Sequence, residues 1–94
     1  MIKHVVCFKL KQGEDIDKAV EILNSMNGKI SVIESLCAHK DFLKSERSYD
    51  IILEVVLKDK NALDEYQKDE YHCSVVKTHM HRVRESSIAV DYEF

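Results

Sequence analysis

Proline is absent from the 94-residue chain, tryptophan is absent too, and glycine occurs only twice, at Gly13 and Gly28. Two isolated glycines leave no Gly-rich loop to cradle a phosphate. No internal repeat and no low-complexity segment interrupts the chain. No run of about 18 apolar residues exists, so no membrane-spanning helix is expected. The opening Met1-Ile2-Lys3-His4 lacks the apolar region and small-residue cleavage site of a signal peptide. Fourteen basic against seventeen acidic residues leave a net charge of −3, which argues against nucleic-acid or anionic-membrane binding. The three cysteines, Cys7, Cys37 and Cys73, form no CxxC pair, and their odd number is unlike a disulfide framework. They read as reduced thiols in a cytoplasmic protein. Cys73 adjoins His72, but neighbours on a helix point about 100° apart, so the pair is a poor nucleophile and base.

What the chain does contain is apolar material in two distinct periods. Hydrophobic residues make up 45% of it, enough for one core and one domain spanning residues 1–94. A domain of this size buries roughly 60–65% of its unfolded surface, so a partner subunit would stabilise it further. Ile2, His4, Val6, Phe8 and Leu10 alternate with Lys3, Val5, Cys7, Lys9 and Lys11, which is a strand. From Ile16 the period becomes helical through Ala19, Val20, Leu23 and Met26, with Asp15 or Asp17 as the cap and Asn27-Gly28 as the stop. Residues 29–34 connect to a weaker strand over 35–43, anchored by Leu36, Ala38 and Phe42. After a charged turn at 44–48, Ile51, Leu53, Val55 and Leu57 mark one face of a strand over 49–57. Asp59 or Asn61 caps a helix holding Ala62, Leu63 and Tyr66. A second helical run after Asp69 carries Tyr71, Val75, Val76, His79, Met80 and Val83 near one stripe. Ile88, Val90 and Tyr92 alternate with Ser87, Ala89, Asp91 and Glu93 in a closing strand.

The order strand, helix, strand, strand, helix, strand predicts an α+β fold, the ferredoxin-like βαββαβ arrangement with an antiparallel four-stranded sheet. Two helices cover one face of such a sheet. The other face would carry Val5, Cys7, Ile52, Val56 and Ala89, or their opposites, and is too apolar for water. Pairing two sheets face to face predicts a homodimer forming a dimeric α/β barrel.

The titratable residues narrow the candidate chemistry. His4 sits mid-strand on the apolar face, either a hydrogen-bonded core histidine or a pocket-lining donor or base. His39 lies on a weak strand and reads as surface. His79 and His81 are two apart on a helix and face opposite ways, while His72 and His79 are about 10.5 Å apart in rise, too far for one zinc. No HExxH, CxxC or Asp-rich loop is present, so no metal and no cofactor is expected. On one continuous helix Tyr66 and His72 would lie about 120° apart. A break at Asp69 would put His72 in a new first turn and let both side chains face one pocket. There a histidine can remove a proton while a tyrosine hydroxyl hydrogen-bonds a carbonyl or enolate. Asp50 is a further candidate pocket residue; it and Glu54 share a strand face about 13 Å apart, too far for an acid/base pair.

Several of these segments together resemble the stress-responsive A/B barrel (Dabb) domain family. They are Ile2 to Lys11, Arg47 to Leu53, Ala62-Leu63-Asp64-Glu65-Tyr66-Gln67, His72 and Ala89 to Phe94. The resemblance runs over about residues 2–94 and implies a dimeric α+β barrel of ferredoxin-like protomers. The family usually reads Tyr-Gln-x-His-Pro-x-His where this chain has Tyr66-Gln67-Lys68-Asp69-Glu70-Tyr71-His72, so Asp69 and Glu70 replace the first histidine and the proline. In the plant branch that cyclises polyketides by aldol chemistry, the tyrosine and the later histidine act as hydrogen-bond donor and general base. The resemblance implies those catalytic roles for Tyr66 and His72, with His4 lining the pocket. The expected function is a small homodimer of stress or metabolic role that binds a small, partly apolar ligand. The alternative is a cofactor-free cyclase or isomerase.

Overall fold

The first strand, β1 (Ile2–Leu10), buries alternate residues as its sequence period dictates. The computed structural model describes all 94 residues. Asp15 then caps α1 (Ile16–Asn24), its carboxylate accepting the backbone N–H of Lys18 at 2.9 Å. The helix buries Ala19 and Leu23, followed by Met26, and the chain leaves it through Gly28 at φ +80°, a left-handed conformation that favours glycine. Strand β2 spans Ile33–Lys40, two residues earlier at its start and three at its end than the sequence period suggests. Leu36 and Ala38 are buried, but Phe42 lies beyond the strand and is 91% exposed, so it is not an anchor. Strand β3 (Ile51–Leu57) buries every second residue.

Asp59 caps α2 (Lys60–Lys68) by accepting the N–H of Ala62 at 2.8 Å. The helix stops at Asp69, whose ψ of 138° is extended. Helix resumes at residue 70, winds as a π-helical turn over His72–Lys77 and continues as α3 (Thr78–Val83). A π turn holds more residues than the 3.6 of an α turn, so residues four apart stay aligned across the transition. His72, Val76, Met80 and Val83 are the buried residues of this run. Val75, expected on the stripe, is 40% exposed: it lies about 100° around the helix from its buried neighbour Val76. Strand β4 (Arg84–Glu93) follows directly.

The sheet order is β2-β3-β1-β4 with every neighbour antiparallel, which is the ferredoxin-like βαββαβ arrangement. Register aligns His4 with Val55 on β3 and Asp91 on β4, so these side chains share the helix-covered face. Val5 opposite Val90, and Cys7 opposite Ile88, lie on the other face. That resolves the last strand: Ile88, Val90 and Tyr92 join Val5, Cys7, Ile52 and Val56, while Ala89 faces the helices beside Val6. A single apolar cluster between helices and sheet forms the core; fully burying a side chain such as Leu23 contributes roughly 1.5–3 kcal/mol. No helix is long and apolar enough to cross a membrane.

Candidate functional site

The break at Asp69 builds the site. A helix end leaves its last carbonyls without helical partners. Here the carbonyl of Tyr66 accepts the backbone N–H of Asp69 at 3.3 Å and the Nδ1–H of His72 at 2.9 Å. The Asp69 carboxylate in turn accepts the backbone N–H of His72 at 3.1 Å, anchoring the new helical turn. Tyr66 and His72 therefore converge: their rings stack with centroids 4.3 Å apart and planes at 27°. The His4 ring meets Tyr66 edge-on at 5.7 Å.

A carbonyl only accepts, so Nδ1 of His72 carries the proton and Nε2 holds the lone pair. Nε2 has no protein partner, yet the only sealed-off side-chain polar atom lacking one is Nε2 of His79. The His72 Nε2 thus opens on free space. Burial pushes the His72 pKa down; its bond to the Tyr66 carbonyl opposes this, Lys77 and His4 add to the lowering, and Asp69 opposes it. The net direction is downward, so His72 is neutral at pH 7, the form a general base requires. His4 is oriented on its other side, where Nδ1 donates to the carboxylate of Asp91 on the neighbouring strand. Its Nε2 is likewise left without a protein partner.

These three rings line a cavity of about 230 Å³ between helices and sheet. Val6, Phe8, Leu23, Leu53, Val76 and Met80 supply its apolar walls, and Gln67, Lys77, His81, Arg84 and Ser87 the polar remainder. Tyr66 itself is wholly buried; its hydroxyl donates to the Met26 sulfur at 3.8 Å, a weak acceptor, and burial raises its pKa strongly. The hydroxyl is un-ionised and lightly engaged. Asp50 is not in this cavity. Its carboxylate accepts the N–H of Leu10 at 2.8 Å, and its backbone N–H donates to the Phe8 carbonyl at 2.8 Å, so it ties β1 to the start of β3. An acidic residue before a strand reads equally well as pocket or clamp, and an unpaired strand-end N–H made it a clamp.

Asp91, Lys77, His81 and Arg84 are additions that sequence periodicity does not single out. Asp91 could be found only through the β1–β4 register, and Lys77 only through the π turn. The cysteines are free, and no three His, Cys, Asp or Glu side chains gather to hold a metal ion.

A family model described as the stress responsive A/B barrel domain matches residues 2–94. No relative is found among curated proteins. Among solved structures, a dimeric Bacteroides fragilis protein of unknown function and ferredoxin-like fold superposes with TM-score 0.86 at 24% identity, covering 99% of this chain and 95% of that one. A Dabb family protein from Mesorhizobium loti gives 0.75 at 18% identity over 99% and 95% of the two chains. The hydroxynitrile lyase of Passiflora edulis gives 0.83 at 9% identity over 97% and 90%. Identities this low carry the fold and nothing finer.

Proposed function

The chain belongs to the stress responsive A/B barrel domain family, and from that premise we propose that it is a self-associating domain that binds a small, partly apolar ligand in the cavity between its helices and sheet. The observation that carries this reading is the cavity itself: apolar walls around a neutral, oriented imidazole with a free lone pair. Self-association is supported by the apolar outer sheet face, where Ile88 is 50%, Val90 60% and Tyr92 46% exposed. It is supported also by the dimeric neighbour from Bacteroides fragilis. The free cysteines suit a reducing compartment, and we assign the protein to the cytoplasm.

One observation favours a second reading, proton-transfer catalysis of cyclase or isomerase type. Nε2 of His72 is an unprotonated base without a protein partner beside the cavity, and the Tyr66 ring lines the same cavity, its buried hydroxyl held only by the Met26 sulfur, a contact it would exchange for a substrate oxygen. In such a step His72 removes a proton next to a carbonyl and Tyr66 donates a hydrogen bond to the resulting enolate oxygen.

Native mass spectrometry of the protein as purified tests the binding reading. A mass near twice 10.9 kDa with a small-molecule increment is expected. A bare chain that also binds none of a panel of small apolar carbonyl compounds overturns it. Catalysis is separated from binding by following deuterium exchange next to the carbonyl of a bound compound. His72→Ala should slow it by about 10²-fold or more. Tyr66→Phe, which removes only a weakly held hydroxyl, should leave stability within about 1 kcal/mol of the parent while slowing exchange. Exchange indifferent to both substitutions rejects catalysis and leaves binding.

A further inference from the structure

The charges around the cavity are one-sided. Its walls include Lys77, Arg84 and three histidines but no carboxylate, in a chain where acidic residues outnumber basic ones by 17 to 14. Asp91 reaches the site only through its bond to His4. Resting on the ligand-binding reading above, we propose that Arg84 and Lys77 form an anion subsite at the cavity mouth, and that the ligand is an amphipathic carboxylate whose apolar body lies against Val6, Phe8, Leu53 and Val76.

Arg84 is the strongest part of this inference. Its side chain is half-buried, yet its guanidinium makes no ion pair and no hydrogen bond within the chain. Of the other two arginines, Arg47 is exposed and Arg82 donates to His79. Four lysines, by contrast, pair with carboxylates on the surface. A partly desolvated guanidinium with five unused donors is unfavourable alone and is relieved by a planar carboxylate, which its fork matches with two parallel bonds. The position follows from the fold. Arg84 ends α3 and opens β4 opposite Leu10, at a register shift in the β1–β4 pairing, which sets its side chain on the helix-facing side. Lys77 and His81 lie one helical turn apart on the facing element. Lys77 donates one hydrogen to the Gln67 carbonyl at 3.0 Å and keeps two for a ligand. With the carboxylate at the mouth, the apolar end points inward past the His72 and His4 rings.

The probes are octanoate and octan-1-ol, which share an apolar tail and differ in the charged end. Both are titrated against the intact protein by calorimetry, with backbone amide NMR shifts locating them. Octanoate is expected to bind about tenfold or more tightly than the alcohol, the difference narrowing as salt is raised. Arg84→Gln should lower octanoate affinity by about tenfold, toward that of the alcohol, while the cavity amides still shift on adding the alcohol, which reports an intact cavity. Equal binding of the two probes to the parent protein, or octanoate affinity indifferent to Arg84→Gln, overturns the subsite while leaving the cavity reading in place. Displacement of octanoate by inorganic phosphate at equal concentration overturns the assignment to a carboxylate. Failure of both probes to perturb the cavity amides overturns the ligand-binding reading and the subsite with it.

Discussion

His72 illustrates how one residue is set by groups of opposite effect. Burial lowers its pKa from the ordinary 6.5, the Tyr66 carbonyl and Asp69 pull the other way, and burial prevails. The same imbalance gives stability a pH dependence. Below about pH 6.5 the unfolded chain takes up a proton at this histidine before the folded chain does. The His72 contribution is therefore fully present above that pH and is lost as pH falls toward the folded-state value. His79 acts in the same direction, since burial and then Arg82 lower its pKa as well. The thermal midpoint should fall between about pH 7.5 and pH 5.5, less steeply in His72→Gln and less steeply again with His79→Gln. An unchanged pH profile in both variants would reject burial as the cause. At this scale the sequence went some distance: Tyr66, His72 and His4 are residues whose chemistry suits a pocket, and they do meet in one. It failed for Asp50, because a carboxylate that holds a strand-end N–H looks the same in a sequence as one that faces a ligand.

Elements dock through backbone groups as much as through apolar faces. Strand β2 is an edge strand, and the end of α1 covers it. The Asn24 amide accepts from the N–H of Ala38 at 2.9 Å and donates to its carbonyl at 3.1 Å, and Asn27 donates to the carbonyl of Leu36 at 3.0 Å. Asn24→Ala leaves both groups of Ala38 without these partners and should destabilise the fold by about 2 kcal/mol in chemical denaturation. A loss under about 0.5 kcal/mol would mean that water replaces both bonds without penalty. The elements themselves were foreseeable from alternation and helical period; of the alternative caps, Asp15 or Asp17 and Asp59 or Asn61, the structure uses Asp15 and Asp59. The π turn at His72–Lys77 was not, since a shift of hydrogen bonds by one residue leaves no mark in composition.

At the scale of the whole molecule, the outer face of the sheet leaves large apolar side chains exposed. Val5, Cys7, Ile52, Val56, Ile88, Val90 and Tyr92 gather there, with Glu54 among them beside Cys37. Val90→Asp puts a second carboxylate near Glu54 and should convert the homodimer proposed above to a monomer, read by sedimentation at micromolar concentration. The cavity lies on the opposite, helix-covered face, so the monomer should still bind octanoate. A dimer unaffected by Val90→Asp would mean that a different surface is paired.

The sequence by itself determined the βαββαβ order and the face of each central strand that turns inward, because periods of 2 and 3.6 are local properties; it offered Asp69 as a cap but left open whether the helix breaks there, which the structure decides. Only the tertiary structure decided which residues share the cavity. Asp91 reaches His4 through strand register across 87 residues of chain, Arg84 reaches the mouth through the turn from α3 into β4, and the Tyr66 carbonyl finds the His72 ring once the helix has broken. Each is a contact between groups whose chemistry is visible in isolation but whose distance is set by how the sheet and helices pack.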